Sequence, residues 1–296
     1  MSTDVMEKID KVYPGFSKGQ RAIAEYIKGH YDQAAFMTAS KLGATVGVSE
    51  STVVRFATEV GFDGYPQLQR ALKEIVRSRL TSVQRMEITN SRLWGSDVLE
   101  KVLRMDSDSI RHTMEETNKE VFYKAVTAIL SSNKIYIMGI RSAAALASFM
   151  SYYFTQIFDD VRHVDTTSAS IVFEQMMRIG SGDVFIGMTF PRYSKRTLAA
   201  ATFAKSNGAK VIAITDSSSS PIAQIADYVL LAKSDIASFV DSLVAPLSLI
   251  NALIVAIGIE KKDEIAGTYA RLEEIWDEYD VYETPNREQA GNDSDL

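Results

Sequence analysis

The chain has 296 residues, enough for two domains, and 46% of them are hydrophobic, enough for real cores. It has no cysteine, which excludes disulfides, thiolate-held metals and a cysteine nucleophile, and fits a reducing cytoplasm. The formal net charge of −6 argues against a uniformly basic nucleic-acid binder, but residues 1–80 hold 11 Lys/Arg against 9 Asp/Glu and the remainder 21 against 29.

Residues 1–80 are expected to be all-helical. The opening MSTDVMEKID is polar and does not read as a signal peptide. Ser17 is placed to cap a helix reaching Tyr31, with Ile23, Ile27 and Tyr31 at spacing four. Then comes TASKLGATVGVSESTVVRFATEVGF, residues 38–62. Thr38 and Ser49 are capping residues ahead of two short helices, and Gly47 supplies the turn between them. Leu42, Val46, Val48, Val53, Ala57 and Val60 can close a small core. That leaves Ser51, Thr52 and Arg55 on an outer face, the kind of short polar helix that major-groove reading needs. An ordinary helical hairpin has the same spacing.

Gly61 to Pro66 reads as a turn, and Gln67–Arg79 as a basic amphipathic helix carrying Arg70, Lys73, Arg77 and Arg79. Its charges are either a solvated face or phosphate contacts beside the reading helix. Residues 81–118 form a helix-compatible connector whose apolar positions suit packing on a partner subunit.

From about Glu120 the pattern becomes α/β. Short β-branched runs at 134–138, 161–164, 184–189, 211–215 and 228–231 alternate with helices near 143–158, 171–179, 194–206 and 221–226. The runs are apolar throughout, so both sheet faces should be covered, in a three-layer domain with a five-stranded parallel sheet. The apolar stretch 243–259 is broken by Pro246, Ser248 and Asn251, and reads as a buried or interface helix with no membrane span. Met176 and Met177 read as core. An amphipathic stretch at 263–282 follows, and 283–296 reads as a disordered tail.

In such a sheet ligands bind at the carboxyl ends of strands. Three of those ends carry hydroxyls just ahead of a helix: Arg141-Ser142, Ser168-Ala169-Ser170, and Thr189 through Arg192 to Ser194. Each hydroxyl alone could be a helix cap. Together with Arg141 and Arg192 they describe an anion site. The three histidines show no metal-ligand spacing, no catalytic triad or cofactor fingerprint is present, and no cofactor is expected.

The residues VSESTVVRF at 48–56, followed by GFDGYPQLQRAL at 61–72, resemble the RpiR family of bacterial transcriptional regulators. IYIMGIRSAAALASFMSYYF and the segment from Gly182 to Thr215 are similar to that family's sugar isomerase (SIS) half. The resemblance covers roughly residues 1–262. It implies a helix-turn-helix domain at 1–80 and a SIS-like sensor at 119–262, joined by the connector at 81–118; the C-terminal helix at 263–282 and the tail at 283–296 lie beyond it. It also implies operator DNA as partner, a sugar-phosphate effector, self-association as a dimer or tetramer, and no enzymatic activity. Lys41, Ser49, Ser51, Thr52, Arg55, Arg70 and Lys73 are then the DNA-facing candidates. Arg141, Ser142, Ser168, Ser170, Thr189, Arg192 and Ser194 are the ligand-facing ones.

The loops depart from the common SIS pattern. Arg141 stands where a second glycine is usual and Ala143 where a serine is. Pro191 replaces a serine and Arg192 a glycine. Proline offers no N–H, and arginine either restores the lost donors as a clamp or fills the pocket against acidic neighbours. The alternative reading is a phosphosugar isomerase with an added helical domain, for which Glu174 and His163 are the available acid–base groups.

Overall fold

The computed structural model describes residues 5–79, 97–165, 168–234 and 240–282. The expected tail at 283–296 lies outside them, as does much of the connector.

The N-terminal part is helical. It comprises α1 (Val5–Val12), a short 3-10 turn (Tyr13–Gly15), α2 (Lys18–Gly29), α3 (Tyr31–Ala34), α4 (Ala39–Val46), α5 (Glu50–Glu59) and α6 (Tyr65–Arg79). Ser17 caps α2 in a full capping box with Gln20, satisfying two orphan N–H groups at once. The helix stops at Gly29 rather than Tyr31, because His30 leaves helical geometry and starts the short α3. The core gathers Phe16, Ile23, Ile27, Leu42, Phe56, Leu68 and Leu72, all buried. Phe16 and Phe56 pack with ring centroids 5.1 Å apart. Each such side chain contributes about 1.5–3 kcal/mol of apolar burial.

The rest is α/β. It comprises α7 (Val98–Glu116), α8 (Lys119–Leu130), β1 (Ile135–Gly139), α9 (Ala143–Phe154), β2 (Val161–His163), α10 (Ala169–Met176), β3 (Val184–Met188), α11 (Lys195–Ser206), β4 (Lys210–Thr215), β5 (Tyr228–Leu231), α12 (Val244–Glu260) and α13 (Lys262–Glu278). The five strands are all parallel in the order β2-β1-β3-β4-β5. Every residue of β1 and β3 is buried, as their unbroken apolar runs require. Ile135, Ile137, Ile186, Ile212 and Ile214 pack under α8, α9 and α12. Tyr136, Met138, Phe185, Val211 and Ala213 pack under α10 and α11. These are the two faces of a three-layer fold.

Two details differ from the sequence reading. Residues 221–226 form turns, not a helix. Ala226 N–H donates to Ile222 O at 3.1 Å, but the chain must then turn into β5, where Asp227 N–H donates to Val211 O at 2.8 Å. One closed turn is not propagated, because nucleation is the costly step. Met176 is fully buried, but Met177 ends α10 and is 70% exposed. The connector helix α7 packs on α12 within this same part of the chain. Its Thr113 Oγ1 accepts from Lys233 N–H at 2.9 Å, its Asp106 Oδ1 from the Ser242 hydroxyl at 2.6 Å, and its Glu116 pairs with Lys233 at 2.7 Å.

Helix α12 buries Ala245, Leu249, Ile250, Leu253 and Ile257, and leaves Val255 and Ile259 exposed. Helix α13 turns 98° from it and buries no residue fully. Among the described residues no single helix is long and apolar enough to cross a membrane.

Candidate DNA interface and ligand cleft

Helices α4 and α5 form a tight pair. Thr38 Oγ1 accepts from Lys41 N–H at 3.2 Å and Ser49 Oγ from Thr52 N–H at 3.3 Å, so each helix carries a side-chain N-cap. Gly47 ends α4 in the left-handed region (φ 75°), and Val48 N–H returns to Gly43 O at 2.9 Å. Gly43 is fixed by proximity, since a Cβ there would sit 2.7 Å from Val48 O. The turn angle between the two helices therefore depends on two glycines.

Leu42, Val53, Phe56 and Ala57 face inward, while Ser51, Val54 and Arg55 face out. Arg55 Nε donates to Ser51 O at 3.4 Å, laying the guanidinium stem along the helix. Ser49 and Thr52 are less available. Their hydroxyls lie 2.8 Å apart, and Ser49 also meets Ser51 Oγ at 2.9 Å. Lys41 is exposed on α4, Arg70 is exposed on α6, and Lys73 is half-buried there. Val54 was not singled out from the sequence. It is 40% exposed in the middle of the outward face of α5, an apolar group of the kind that contacts a thymine methyl. Its place on the outward face, two residues from Thr52, was the available signal.

The second site lies at the switch point of the sheet. From β1 the chain crosses to β2 on one side, and β3 lies on the other, so the β1 and β3 loops diverge over a crevice. A cleft of about 610 Å³ opens there, lined by Ile140 to Ala143, Thr189 to Arg196, Val240 and Asp241. It brings Arg141, Ser142, Thr189, Arg192 and Ser194 together. Ser168 and Ser170, with their hydroxyls 3.1 Å apart, do not line it.

The backbone explains the two unusual loops. Arg141 has φ 63° and Arg192 φ 66°, both left-handed, the conformation that favours glycine. The loops have kept the glycine geometry while carrying arginine. The β3 loop is closed by its own hydrogen bonds. Ser194 N–H donates to Thr189 Oγ1 at 2.9 Å, Thr197 N–H to Ser194 Oγ at 3.2 Å, and the Tyr193 hydroxyl to Asp216 at 3.0 Å. Thr189 and Ser194 accept these bonds and each still has its own proton to give. Ser142 stands at the start of α9 without capping it through its side chain.

Among the described lining residues are four cations, Arg141, Arg192, Lys195 and Arg196, and one carboxylate, Asp241. Lys195 and Arg196 are additions to the sequence reading. Both occupy the first turn of α11, where the helix dipole disfavours cations. A basic pair at that unfavourable end, with no acidic residue in the turn, was the legible sign of an anion nearby. Asp241, brought in from the distant segment before α12, had no sequence signal.

Glu174 and His163 lie elsewhere. They line a separate cleft of about 400 Å³ with Arg162, Gln175 and Arg178, in which His163 Nε2 is buried without a hydrogen-bond partner. No group of three or more His, Cys, Asp or Glu poised for a metal occurs among the described residues.

The helix-turn-helix domain of the rpiR family matches residues 3–78, and the SIS domain matches residues 128–256. The chain belongs to the RpiR family. It is an HTH-type transcriptional regulator with a SIS sensor domain. Among its relatives, an uncharacterised HTH-type transcriptional regulator of Caldanaerobacter subterraneus is 23% identical over 287 residues, covering 92% of this chain and 97% of the relative. One from Haemophilus influenzae is 26% identical over 235 residues, covering 78% and 80%. The sugar isomerase domain of an RpiR transcription factor from Sphaerobacter thermophilus superposes with TM-score 0.56 at 25% identity, over 59% of this chain and 97% of that one. The NanR protein of Vibrio vulnificus, solved with ManNAc-6P, superposes with TM-score 0.57 at 19% identity, over 92% and 98%. That last likeness concerns the fold.

Proposed function

We propose that this RpiR regulator reads operator DNA through α5 and senses a small anionic carbohydrate in the arginine cleft. The effector class is a sugar phosphate or a related carbohydrate acid, and its binding changes operator affinity. The observation that carries the reading is the pairing of Arg141 and Arg192 in one cleft at the carboxyl ends of β1 and β3. A crevice of this size is ordinary for a metabolite, and its formal charge favours an anion. NanR, a protein of the same fold, was solved with a sugar phosphate.

On the DNA side, Ser51, Val54 and Arg55 face the bases, with Ser49 and Thr52 holding the N-terminal turn of α5. Lys41, Arg70 and Lys73 contact phosphates. One acidic protomer is a weak operator binder, so the working form is a dimer or tetramer that places two α5 helices in successive major grooves. Chromosomal DNA as the partner sets the site of action in the cytoplasm. The isomerase alternative is disfavoured because Glu174 and His163, the acid–base candidates, do not line the arginine cleft.

The test is binding of the full-length protein to its own upstream DNA across a salt series, with and without added sugar phosphates and sugar acids. A steep salt dependence, lost together with sequence preference in Arg55→Ala, supports the reading. Identical behaviour of wild type and Arg55→Ala on specific and random DNA sinks the assignment of α5. Turnover of a hexose phosphate sinks the assignment of the cleft as a sensor.

A further inference from the structure

We propose that a second copy of this chain docks on the outer face of α7 and α12, with the two α7 helices antiparallel across a twofold axis. This rests on the self-associating form proposed above and assigns it a surface.

Helix α7 is built inside out. Its inward side carries Asp106, Ser109 and Thr113; Ser109 and Thr113 are buried, and Asp106 and Thr113 bond to Ser242 and Lys233. Its outward side carries Leu99, Leu103, Ile110 and Met114, and Leu99, Leu103 and Met114 are 59–71% exposed. At 3.6 residues per turn, spacings of four, seven and four put all four side chains within an arc of about 60°. A helix of a globular chain turns such a stripe to its core and its polar residues to water. Here the polar residues pack inward and the apolar stripe faces out.

The apolar face does not end with α7. Helix α12 has no charged residue from Val244 to Ile259, yet Val244, Val255 and Ile259 are exposed along one side of it. Ser248 and Ala252 share that side. With Ile110, Met114, Phe122 and Tyr123 they line a groove of about 360 Å³ between α7, α8 and α12. A helix that is apolar all round is a buried helix, and half of α12 is not buried by the described chain. The groove joins that half to the stripe of α7, making one apolar surface of the kind that marks a protein–protein contact.

The occupant that fits is another copy, because the stripe is its own complement. An antiparallel pair centred between Asp106 and Ser107 sets Leu99 opposite Met114 of the second copy and Leu103 opposite Ile110, each contact made twice. The groove lies at the Met114 end, where Leu99 of the second copy arrives. The charges beside the stripe agree. Glu100 and Arg111 lie on one flank of it, and the crossing brings each within about 3 Å along the axis of the other in the second copy. Both are exposed, and their partners within the helix, Arg104 at 2.5 Å from Glu100 and Asp108 at 2.6 Å from Arg111, are on the surface too. Opposite charges therefore meet twice beside the apolar contact, as flanking charges do in paired helices.

The test exploits the absence of cysteine from the chain. The full-length double variant Leu103→Cys/Ile110→Cys is oxidised with copper phenanthroline and run on a non-reducing gel. In the antiparallel pair, position 103 of one copy meets position 110 of the other within disulfide reach. Position 103 lies about 10 Å from its own counterpart, seven residues along the helix, and out of reach. The double variant should therefore give at least fivefold more covalent dimer than either single variant. Sedimentation velocity of Leu103→Glu is the second arm; Leu103 is exposed in the single chain, so the fold is retained, and circular dichroism checks it. At least one step of self-association should weaken a hundredfold or more. Single variants that cross-link as well as the double one set the helices parallel and overturn the proposal. A double variant that does not cross-link although wild type self-associates overturns it too. So does self-association that Leu103→Glu leaves unchanged, which would mean that another part of the chain, such as residues 80–96, covers this face and that copies meet elsewhere. A wild type that is monomeric at every concentration, with and without DNA, overturns the self-association reading and this proposal with it.

Discussion

Replacing the two left-handed arginines by glycine should make the protein more stable while making it insensitive to its effector. A left-handed backbone costs an L-residue roughly 1–2 kcal/mol. Glycine removes that cost but surrenders more freedom on folding, about 0.4–1 kcal/mol. The net gain is about 0.5–1 kcal/mol at Arg141 (φ 63°), and at Arg192 (φ 66°) at most the same, since that side chain also has interactions to lose. Taken without coupling across the cleft, the two gains come to at most about 1–2 kcal/mol. At roughly 2–4 °C per kcal/mol for a domain of this size, the double variant should melt several degrees higher. Thermal melts with and without a binding sugar phosphate are the assay. Wild type should rise with ligand, following mass action, and the double variant should start higher and stay there. A fall of more than about 2 °C in either single variant would refute the reasoning. It would mean that the guanidinium holds the loop together by more than the strain it imposes, and that arginine is there for the fold.

Four further outcomes follow from the geometry. Arg55→Ala should cost about 1–3 kcal/mol of operator binding and relax specificity at one base, whereas Lys41→Ala or Arg70→Ala should weaken all sequences alike and lower the salt slope by about one; competition binding across a salt series separates the two. Gly43→Ala places a Cβ at 2.7 Å from Val48 O, and should destabilise the helix-turn-helix by about 1–3 kcal/mol, seen as lost DNA binding with effector binding intact. Burial raises the Tyr65 phenol to about 12, so the unfolded chain ionises first as pH climbs. The stability this gives is whole below pH about 10 and is lost as pH rises towards 12, and Tyr65→Phe should flatten that alkaline limb in a denaturation series. Asp106→Ala removes the acceptor of the Ser242 hydroxyl, and should leave effector affinity within about threefold while blunting the effect of effector on operator binding.

What could be read in advance follows from which signals are local. Ser17, Thr38, Ser49 and Ser194 were legible as caps because capping is decided within three residues, and all four accept the expected backbone N–H. The parallel sheet was legible because burial on both faces leaves continuous apolar runs such as Ile135–Gly139. Arg141 and Arg192 were legible as departures from a glycine pattern. Their left-handed backbone was not, since arginine gives no local reason to adopt it. Ser168 and Ser170 share the hydroxyl-before-helix pattern of Ser142 and Ser194, yet β2 lies at the sheet edge, away from the switch point, so pattern alone could not exclude them. The α7 contacts join residues more than 100 positions apart, and Asp241 lies 49 positions from Arg192 and 100 from Arg141, all beyond the reach of spacing arguments.

Those α7 contacts set a ceiling on regulation. Asp106, Thr113 and Glu116 tie the segment leading out of the N-terminal domain to Lys233 and Ser242, and Ser242 adjoins Asp241 in the cleft. A change that works through the polar bonds of this seam alone, with the packing of α7 on α12 left in place, can be worth no more than the bonds it makes or breaks. A hydrogen bond to a charged acceptor contributes about 1.5–2 kcal/mol here, a neutral one about 1, and a half-exposed ion pair a few tenths. Their sum, about 3 kcal/mol, is a change of roughly 150-fold in operator affinity. An effector response larger than that requires α7 to repack on α12 or a second route between the cleft and the DNA.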